Sequence, residues 1–213
     1  MKRSKITILL AIVLGMTFHS CLDLEPQDQL GGKNMWTSVN DYKQFANTFY
    51  SWTRDFSSVV YDGTHSDKRS DLITYQSYNE FSRGINSIPS SDANYTDNYK
   101  HIRRTNLLLQ NAEAYAKPED IKQYIGEAYF FRAYSYFDLL QLYGDVIITK
   151  KPLDITDPEM KVKRNDRSEV VDLIIDDLNH AVENLPAFKE LTTEEEGRIS
   201  KEGAQAFLSR VAL

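Results

Sequence analysis

The chain has 213 residues, of which 41% are hydrophobic and 26% charged, and this balance excludes low-complexity disorder and indicates one or two folded domains. Its formal net charge is −6. We therefore expect no nucleic-acid partner, because nucleic-acid-binding proteins gain most of their affinity from Lys and Arg side chains that neutralise phosphates. The 13 Tyr, 10 Phe and 2 Trp suit a packed helical core, a surface on which ligands stack, or both.

Residues 1–20 have the pattern of an export signal. Lys2, Arg3 and Lys5 precede a mostly apolar run over residues 6–18, which is shorter than the roughly 20 residues needed to cross a bilayer. The sequence therefore predicts a secretory signal peptide over residues 1–20 rather than a transmembrane helix.

The single cysteine of the chain, Cys21, directly follows this signal. A lone thiol at the end of an export signal is the pattern of a bacterial lipoprotein, and Ser20 supplies the small residue expected before the cleavage point. We predict that Cys21 is lipidated, and that residues 21–36, which are mostly polar, form a tether leading away from the membrane. The alternative is an ordinary signal peptide cleaved elsewhere, which would leave a free thiol.

The first predicted helix starts after Ser38, which can cap it together with Asp41 three residues later. Apolar and aromatic residues then recur at helical spacing on one face, namely Val39, Tyr42, Phe45, Ala46, Phe49 and Tyr50. Trp36 and Trp52 flank this helix, so we expect both to pack beneath it rather than to bind a ligand.

Residues 54–91 differ from the rest of the chain, because they are rich in Ser and Asp and carry the turn-forming pairs Asp62-Gly63 and Arg83-Gly84. Their apolar runs are short. The pattern predicts a long irregular loop region. A loop of this length in a folded domain is usually functional, so it is the first place to look for a binding surface.

Four further helices are predicted in two pairs, and the first pair covers residues 92–116 and 118–143. Pro118 is suited to the first turn of the second helix, and Gly144 is suited to the position just after its end. Apolar and aromatic residues occupy nearly the whole circumference of this second helix. Such a helix must be covered on several sides.

The second pair consists of a helix that we expect Ser168 to cap, ending at Pro186, and a helix that begins after Gly197 and Ser200. The resulting fold class is all-α, with tetratricopeptide-like helical hairpins and a long irregular loop region. Stacked repeats of this kind generally need three or more units to close a core. Either the first helix and the aromatic loop complete the core, or the chain is the N-terminal part of a larger α superhelix.

Several spaced motifs follow one another in order along the chain. They are Cys21-Leu22-Asp23-Leu24-Glu25-Pro26, Tyr99 through Leu108, Gly126-Glu127-Ala128 with Arg132-Ala133, Tyr136 through Leu140, Tyr143-Gly144-Asp145-Val146, Arg167 through Pro186, and Gly197-Arg198-Ile199-Ser200-Lys201. This set resembles the SusD/RagB family. The chain departs from the family pattern at Ile147, where Pro is frequent, and at Tyr95, where Trp is frequent, and neither change alters the expected fold.

The resemblance implies a cell-surface lipoprotein of the outer membrane, with a tetratricopeptide-like domain over residues 37–213. It implies that the protein binds an oligosaccharide or another nutrient and delivers it to a SusC-like TonB-dependent transporter. It also implies a binding protein rather than an enzyme, with no cofactor. The alternative is an interaction scaffold that docks to the transporter while another region or protein holds the ligand.

Sugar recognition needs flat apolar faces for the C–H patches of the ring and planar polar side chains for the hydroxyl groups. The loop offers both kinds of side chain. The candidate carbohydrate-binding residues are Tyr75, Tyr78, Asn79, Arg69 and Asp67. The alternative for the two tyrosines is that they close the core of the scaffold itself.

Charged side chains on the apolar second helix are expected to pair within the protein. Arg132 and Asp138 lie on this helix, and buried charge is tolerated only when it is paired and hydrogen-bonded. We therefore predict that these two residues orient neighbouring helices rather than catalyse a reaction.

No catalytic or metal site is expected. His65, His101 and His180 have no ligand spacing with one another or with acidic residues. A glycosidase needs two carboxylates across a cleft, whereas Asp176 and Asp177 are expected on the solvated face of a helix.

Overall fold

The computed structural model of the chain describes residues 35–54, 83–85, 87–154 and 156–213. Within these ranges the regular structure is helical. The α-helices are α1 (Val39–Asn47), α2 (Ala93–Glu113), α3 (Lys122–Tyr143), α4 (Arg167–Asn184) and α5 (Lys201–Val211). Short 3₁₀ helices lie at Thr48–Trp52, Pro118–Ile121, Pro158–Lys161, Phe188–Glu190 and Thr193–Glu195. Among the described residues, no helix combines the length and apolar character needed to cross a membrane.

Consecutive helices from α2 to α5 pack side by side, so α3 lies between α2 and α4, and α4 contacts α5. The α2–α3 and α4–α5 pairs are the predicted helical hairpins. The short helix α1 packs against α2 and α3. The predicted all-α architecture of stacked hairpins is therefore confirmed.

The start of α1 follows the sequence prediction. The Ser38 Oγ accepts a hydrogen bond from the Asp41 backbone N–H at 3.4 Å, and the Asp41 carboxylate accepts one from the Ser38 N–H at 2.8 Å. This reciprocal capping box satisfies two of the amides that have no partner inside the helix. It directs the buried side chains of Tyr42, Phe45 and Ala46 towards the core.

The boundaries of α3 also agree with the sequence. Pro118 opens the 3₁₀ turn that leads into the helix, and Gly144 ends it with a φ of +70°. A positive φ of this kind favours glycine because it has no Cβ. As predicted, α3 is covered on several sides, since most of its residues are buried.

The predicted cap of α4 is wrong by two residues. Ser168 lies inside the helix, which begins at Arg167 with Asp166 as the extended N-cap residue. The Glu169 carboxylate accepts the Asp166 N–H at 3.0 Å, and this contact fixes the earlier start. The cap of α5 is as predicted, because the Ser200 Oγ accepts the Gly203 N–H at 3.3 Å.

An extended segment over residues 146–149 follows α3 and is held by side chains of α2 and α3. The Tyr99 hydroxyl accepts from the Ile147 N–H and donates to the Ile147 carbonyl, both at 2.9 Å. The Tyr136 hydroxyl makes the same pair of bonds to Thr149, at 2.7 and 3.1 Å. A hydroxyl can both donate and accept, so each tyrosine replaces one partner of a β-ladder.

Candidate functional site

The predicted carbohydrate-binding residues Tyr75, Tyr78, Asn79, Arg69 and Asp67 lie outside the described residues, as does the predicted lipidation site Cys21. The structure does describe the residues on either side of the predicted loop to which the five carbohydrate-binding candidates belong.

Arg54 is the last described residue before the predicted loop and Asp92 is the N-cap residue of α2, and both are bonded to residues in the C-terminal part of α3. The guanidinium of Arg54 donates to the carboxylate of Asp138, which also accepts from the Asn98 amide at 3.3 Å. The Tyr143 hydroxyl donates to the Asp92 carboxylate at 2.7 Å. We call these five residues, Arg54, Asp92, Asn98, Asp138 and Tyr143, the loop base.

The loop base sits where the N-terminus of α2 meets the C-terminus of α3, because the two helices form an antiparallel hairpin. The hydrogen bond from Tyr143, with smaller help from the Asn94 amide, lowers the pKa of Asp92, so this carboxylate is ionised at neutral pH. Arg54 and Asp92, which flank the predicted loop, are thus held by charged and hydrogen-bonded contacts at one end of the hairpin. The predicted internal pairing of Asp138 is confirmed.

The two tryptophans pack against the region of the first helix, as predicted. The Trp36 ring lies 5.0 Å from Tyr42 and 4.7 Å from Phe45, measured between ring centroids. The Trp52 ring stacks on His101 at 4.1 Å with an interplanar angle of 14°. Burial lowers the pKa of His101 to about 4, so its imidazole is neutral at pH 7.

A buried ion pair joins α3 to α4. The Arg132 guanidinium donates to both oxygens of Asp177, at 2.8 and 2.6 Å, and to the Asn106 side-chain oxygen on α2 at 2.7 Å. Arg132 is 5% exposed and Asp177 is fully buried. The prediction that Arg132 orients neighbouring helices is confirmed, and it connects three of them.

The expectation that Asp177 lies on a solvated face is therefore wrong, although its neighbour Asp176 is exposed. Asp177 shares the buried face of α4 with Ile174 and Leu178. It is tolerated there because its charge is matched by a bidentate guanidinium.

A second ion pair, between Glu127 on α3 and Arg198 before α5, was not predicted from the sequence. Arg198 donates to both carboxylate oxygens of Glu127 at 2.7 Å, and Glu127 is fully buried. Glu127 itself could have indicated this pair, because an ionised side chain on a helix that is apolar nearly all round requires a cationic partner. In the part of the chain that the structure describes, no group of acidic, His or Cys side chains is placed to hold a metal ion.

Comparisons with known proteins identify the family of this scaffold. A family model for SusD-like proteins, described as starch-binding and associating with the outer membrane, matches residues 22–213. The chain belongs to the SusD-like family. The sequence-based resemblance is thereby confirmed, and so is the prediction of a binding class rather than an enzyme class, since the family is described by binding.

Similar proteins include SusD-like protein P38 of Formosa agariphila, which is 28% identical over 204 residues. That alignment covers 86% of this chain and 38% of the relative. The crystal structure of a SusD-like protein from Bacteroides fragilis superposes with a TM-score of 0.70 at 27% identity, over 87% of this chain and 37% of that one. The chain therefore spans well under half the length of these two relatives.

A third relative is named for its ligand. The solved structure of a laminarin-binding SusD-like protein is 29% identical, with a TM-score of 0.55, over 62% of this chain and 28% of that chain.

Proposed function

We propose that this chain acts in a cell-surface lipoprotein that binds an oligosaccharide, or another nutrient, and delivers it to a SusC-like TonB-dependent transporter of the outer membrane. The observation that carries the proposal is the family match over residues 22–213, because its description joins starch binding to association with the outer membrane. The laminarin-binding relative supports a saccharide ligand.

Membrane attachment is proposed to occur through Cys21. The family match begins at residue 22, immediately after this cysteine, and the predicted export signal over residues 1–20 ends immediately before it. Two or more acyl chains would hold the protein stably, since one chain alone binds membranes only marginally. Residues 21–36 would then serve as the tether, and residues 37–213 as the domain presented beyond it.

Ligand contact is proposed for the loop that carries Tyr75, Tyr78, Asn79, Arg69 and Asp67. In support, the loop base holds Arg54 and Asp92, which flank this predicted loop, against the α2–α3 hairpin. A binding surface held at both ends loses less conformational freedom when ligand binds. The tyrosine rings would cover the C–H faces of a sugar, and the polar side chains would bond its hydroxyl groups. Binding is non-covalent, so the ligand is released unchanged to the transporter.

A second function, an interaction scaffold that docks to the transporter without holding ligand, is favoured by one observation. The chain spans only 38% of the relative P38, so contacts to ligand in such proteins can come from regions that this chain does not match. Both functions use the same rigid helices.

Retention of the purified chain on immobilised starch and laminarin tests the proposal. We expect Tyr75→Ala and Tyr78→Ala each to weaken retention by about tenfold, because a stacking face is lost, without lowering the melting temperature. Tyr75→Phe and Tyr78→Phe serve as controls and should retain binding, since the ring remains.

A lower melting temperature in the alanine variants would instead assign these rings to the core. If the chain is not retained by any glycan but co-purifies with the transporter, the scaffold function replaces the binding function.

A further inference from the structure

A cleft of about 360 Å³ opens on the side of the scaffold between α2, α3, α4 and the residues that follow the extended segment. We call it the lateral cleft, and its lining includes the polar or aromatic side chains of Gln110, Glu113, Tyr129, Arg132, Lys150, Lys151, Asp176 and His180. Its volume is at the low end of the range for small-molecule sites. This size suits one or two sugar rings rather than a long chain.

We infer that the lateral cleft is a second saccharide site, which binds a neutral sugar and is additional to the one proposed at Tyr75 and Tyr78. This inference rests on the proposed function, because it assumes that saccharides are the ligands of the protein. It adds a position on the helical scaffold where such a ligand binds.

The helical register brings the polar side chains of the cleft together. Gln110 and Glu113 lie one turn apart on α2, and Asp176 and His180 lie one turn apart on α4, so each pair shares a face of its helix. Tyr129 comes from α3, which lies between them. Three helices thus contribute side chains to one concave surface, which backbone packing holds in place.

The aromatic wall of the cleft is formed by Tyr129 and His180. Their ring centroids are 4.9 Å apart with an interplanar angle of 28°, so the rings are stacked. The His180 side chain is 45% exposed, which leaves part of this flat surface open to a ligand. A pyranose ring has apolar C–H patches that pack on such a surface.

Arg132 forms the floor of the cleft, and its charge is already paired within the protein. Its guanidinium is bidentate to Asp177 and also bonds Asn106, and it lies 5.3 Å from the centroid of the Tyr129 ring. The floor is therefore rigid, and its charge is neutralised from within the protein rather than by a ligand.

The remaining charges of the cleft are of both signs, with one lysine and two carboxylates besides the Lys151–Glu159 pair. Lys150 is a donor on one side, and Glu113 and Asp176 are acceptors on the others, while Lys151 is bonded to Glu159 at 2.7 Å. An anionic ligand would meet two carboxylates. A neutral sugar, whose hydroxyl groups both donate and accept, matches the mixture of Lys, Gln and carboxylate groups.

The lateral cleft is distant from the loop base. Asn98 of the loop base and Gln110 of the cleft both lie on α2, and the helical rise places them about 18 Å apart. Substitutions in the cleft and in the loop base can therefore be tested independently.

The test is an NMR titration of the chain with three probes, maltotriose, laminaritriose and the acidic trisaccharide trigalacturonate. It is carried out with Tyr75→Ala and Tyr78→Ala already introduced, so that binding by the loop is reduced. We expect a neutral trisaccharide to shift the signals of Gln110, Lys150 and His180. We expect His180→Ala and Gln110→Ala each to weaken its affinity by roughly tenfold. Asn179→Ala, at an exposed position beside His180 on α4 that does not line the cleft, is the matched control and should leave affinity unchanged.

The possible results separate this inference from the proposed function. If neutral saccharides bind the wild-type chain but the two cleft substitutions have no effect, the lateral cleft is not a site, and the proposed function stands. If the acidic trisaccharide binds more tightly than the neutral ones, the inferred ligand class is wrong. If the wild-type chain binds no saccharide at all, the proposed function fails, and this inference fails with it.

Discussion

Helices α3 and α5 belong to the same stack of hairpins but differ in how they are covered. Thirteen of the 22 residues of α3 are buried, including Glu127, Arg132 and Asp138, whereas α5 buries only Ala204 among its 11 residues. The aromatic contact of α5 with α3 is made by Phe207, whose ring lies 5.2 to 5.7 Å from those of Phe130, Tyr134 and Phe137.

The difference shows where this scaffold places its buried charges. A helix covered on several sides has no solvated face on which to leave ionised residues, so α3 must pair them with its neighbours. These pairs join α3 to α2, to α4 and to the segment before α5. A helix with an exposed face, such as α5, carries its charges in water and depends on a few apolar contacts. We therefore expect equivalent substitutions to cost far more in α3 than in α5.

The largest expected difference in stability between substitutions in α3 and in α5 is for the replacement of an arginine. Arg132→Met should lower the free energy of unfolding by about 3–5 kcal/mol, because it leaves the fully buried Asp177 carboxylate without its cation. Arg210→Met, in α5, is the matched control. Arg210 is exposed and lies 5.6 Å from the Phe137 ring, so its loss should cost less than about 1 kcal/mol. Urea denaturation of both variants measures the difference.

The double variant Arg132→Met with Asp177→Leu should recover most of the lost stability, since no buried charge then remains unpaired. Equal losses in Arg132→Met and Arg210→Met would contradict the view that buried charge pairs organise α3.

The helices were predictable from the sequence because their signals are local. The Ser38–Asp41 capping box, Pro118 before α3 and Gly144 after it each act within one turn, and the structure places all three where expected. The cap of α4 was misassigned because Asp166 and Ser168 are both good N-cap residues. The choice depends on which one has a reciprocal partner three residues later.

The ion pairs were predictable only in part, since their partners are distant in the sequence. Arg132 and Asp177 are 45 residues apart, and Glu127 and Arg198 are 71 apart. Helical periodicity indicates which face a residue occupies, but it does not identify the residue opposite. For Asp177, an acidic residue beside exposed Asp176 suggested a solvated face, and tertiary packing decided otherwise.

The lateral cleft could not be predicted for the same reason. Its residues come from three helices and a connecting segment, and none of them forms a sequence motif with another. The candidate loop residues, in contrast, were selected by composition within one continuous segment. Composition suggests a kind of chemistry, whereas a concave site requires knowledge of which helices are adjacent.

A smaller effect is expected at the two glycines inside these helices. A Cβ added to Gly126 in α3 would lie 2.9 Å from the Leu185 Cγ and 3.0 Å from the Leu185 backbone nitrogen. Gly126→Ala should therefore cost about 1–3 kcal/mol, because α3 and the end of α4 are too close to accept a methyl group. Thermal or urea denaturation would measure it.

Gly203 in α5 provides the matched control. A Cβ there would meet the Ile199 Cδ1 at 2.6 Å, but this is the far end of a flexible side chain that can move away. The higher helix propensity of Ala contributes about 1 kcal/mol, so Gly203→Ala should be neutral or stabilising. A loss as large as that of Gly126→Ala would show that α5 is packed as tightly as α3.

The smallest effect concerns the edge of the α3 core, where Trp52 packs between Phe131 of α3 and His101 of α2. Burial lowers the pKa of His101 from its ordinary value of 6.5 to about 4, opposed by Asp97 and assisted by Arg104 and Lys100. Between these two pH values the unfolded chain binds a proton at this position and the folded chain does not. The contribution of His101 to stability is therefore complete above pH 6.5 and decreases as the pH falls towards 4.

We expect this loss to reach about 1–2 kcal/mol, allowing for the partial exposure of the imidazole. His101→Phe keeps a ring on Trp52 but cannot be protonated, so the difference in unfolding free energy between variant and wild type should change by that amount between pH 7.5 and pH 4.5. The comparison with wild type removes the contribution of carboxylates that titrate in the same range. If the unfolding free energies of the two proteins change in parallel with pH, His101 is protonated as readily in the folded chain as in the unfolded one. Burial beside α3 would then not reach this position of α2.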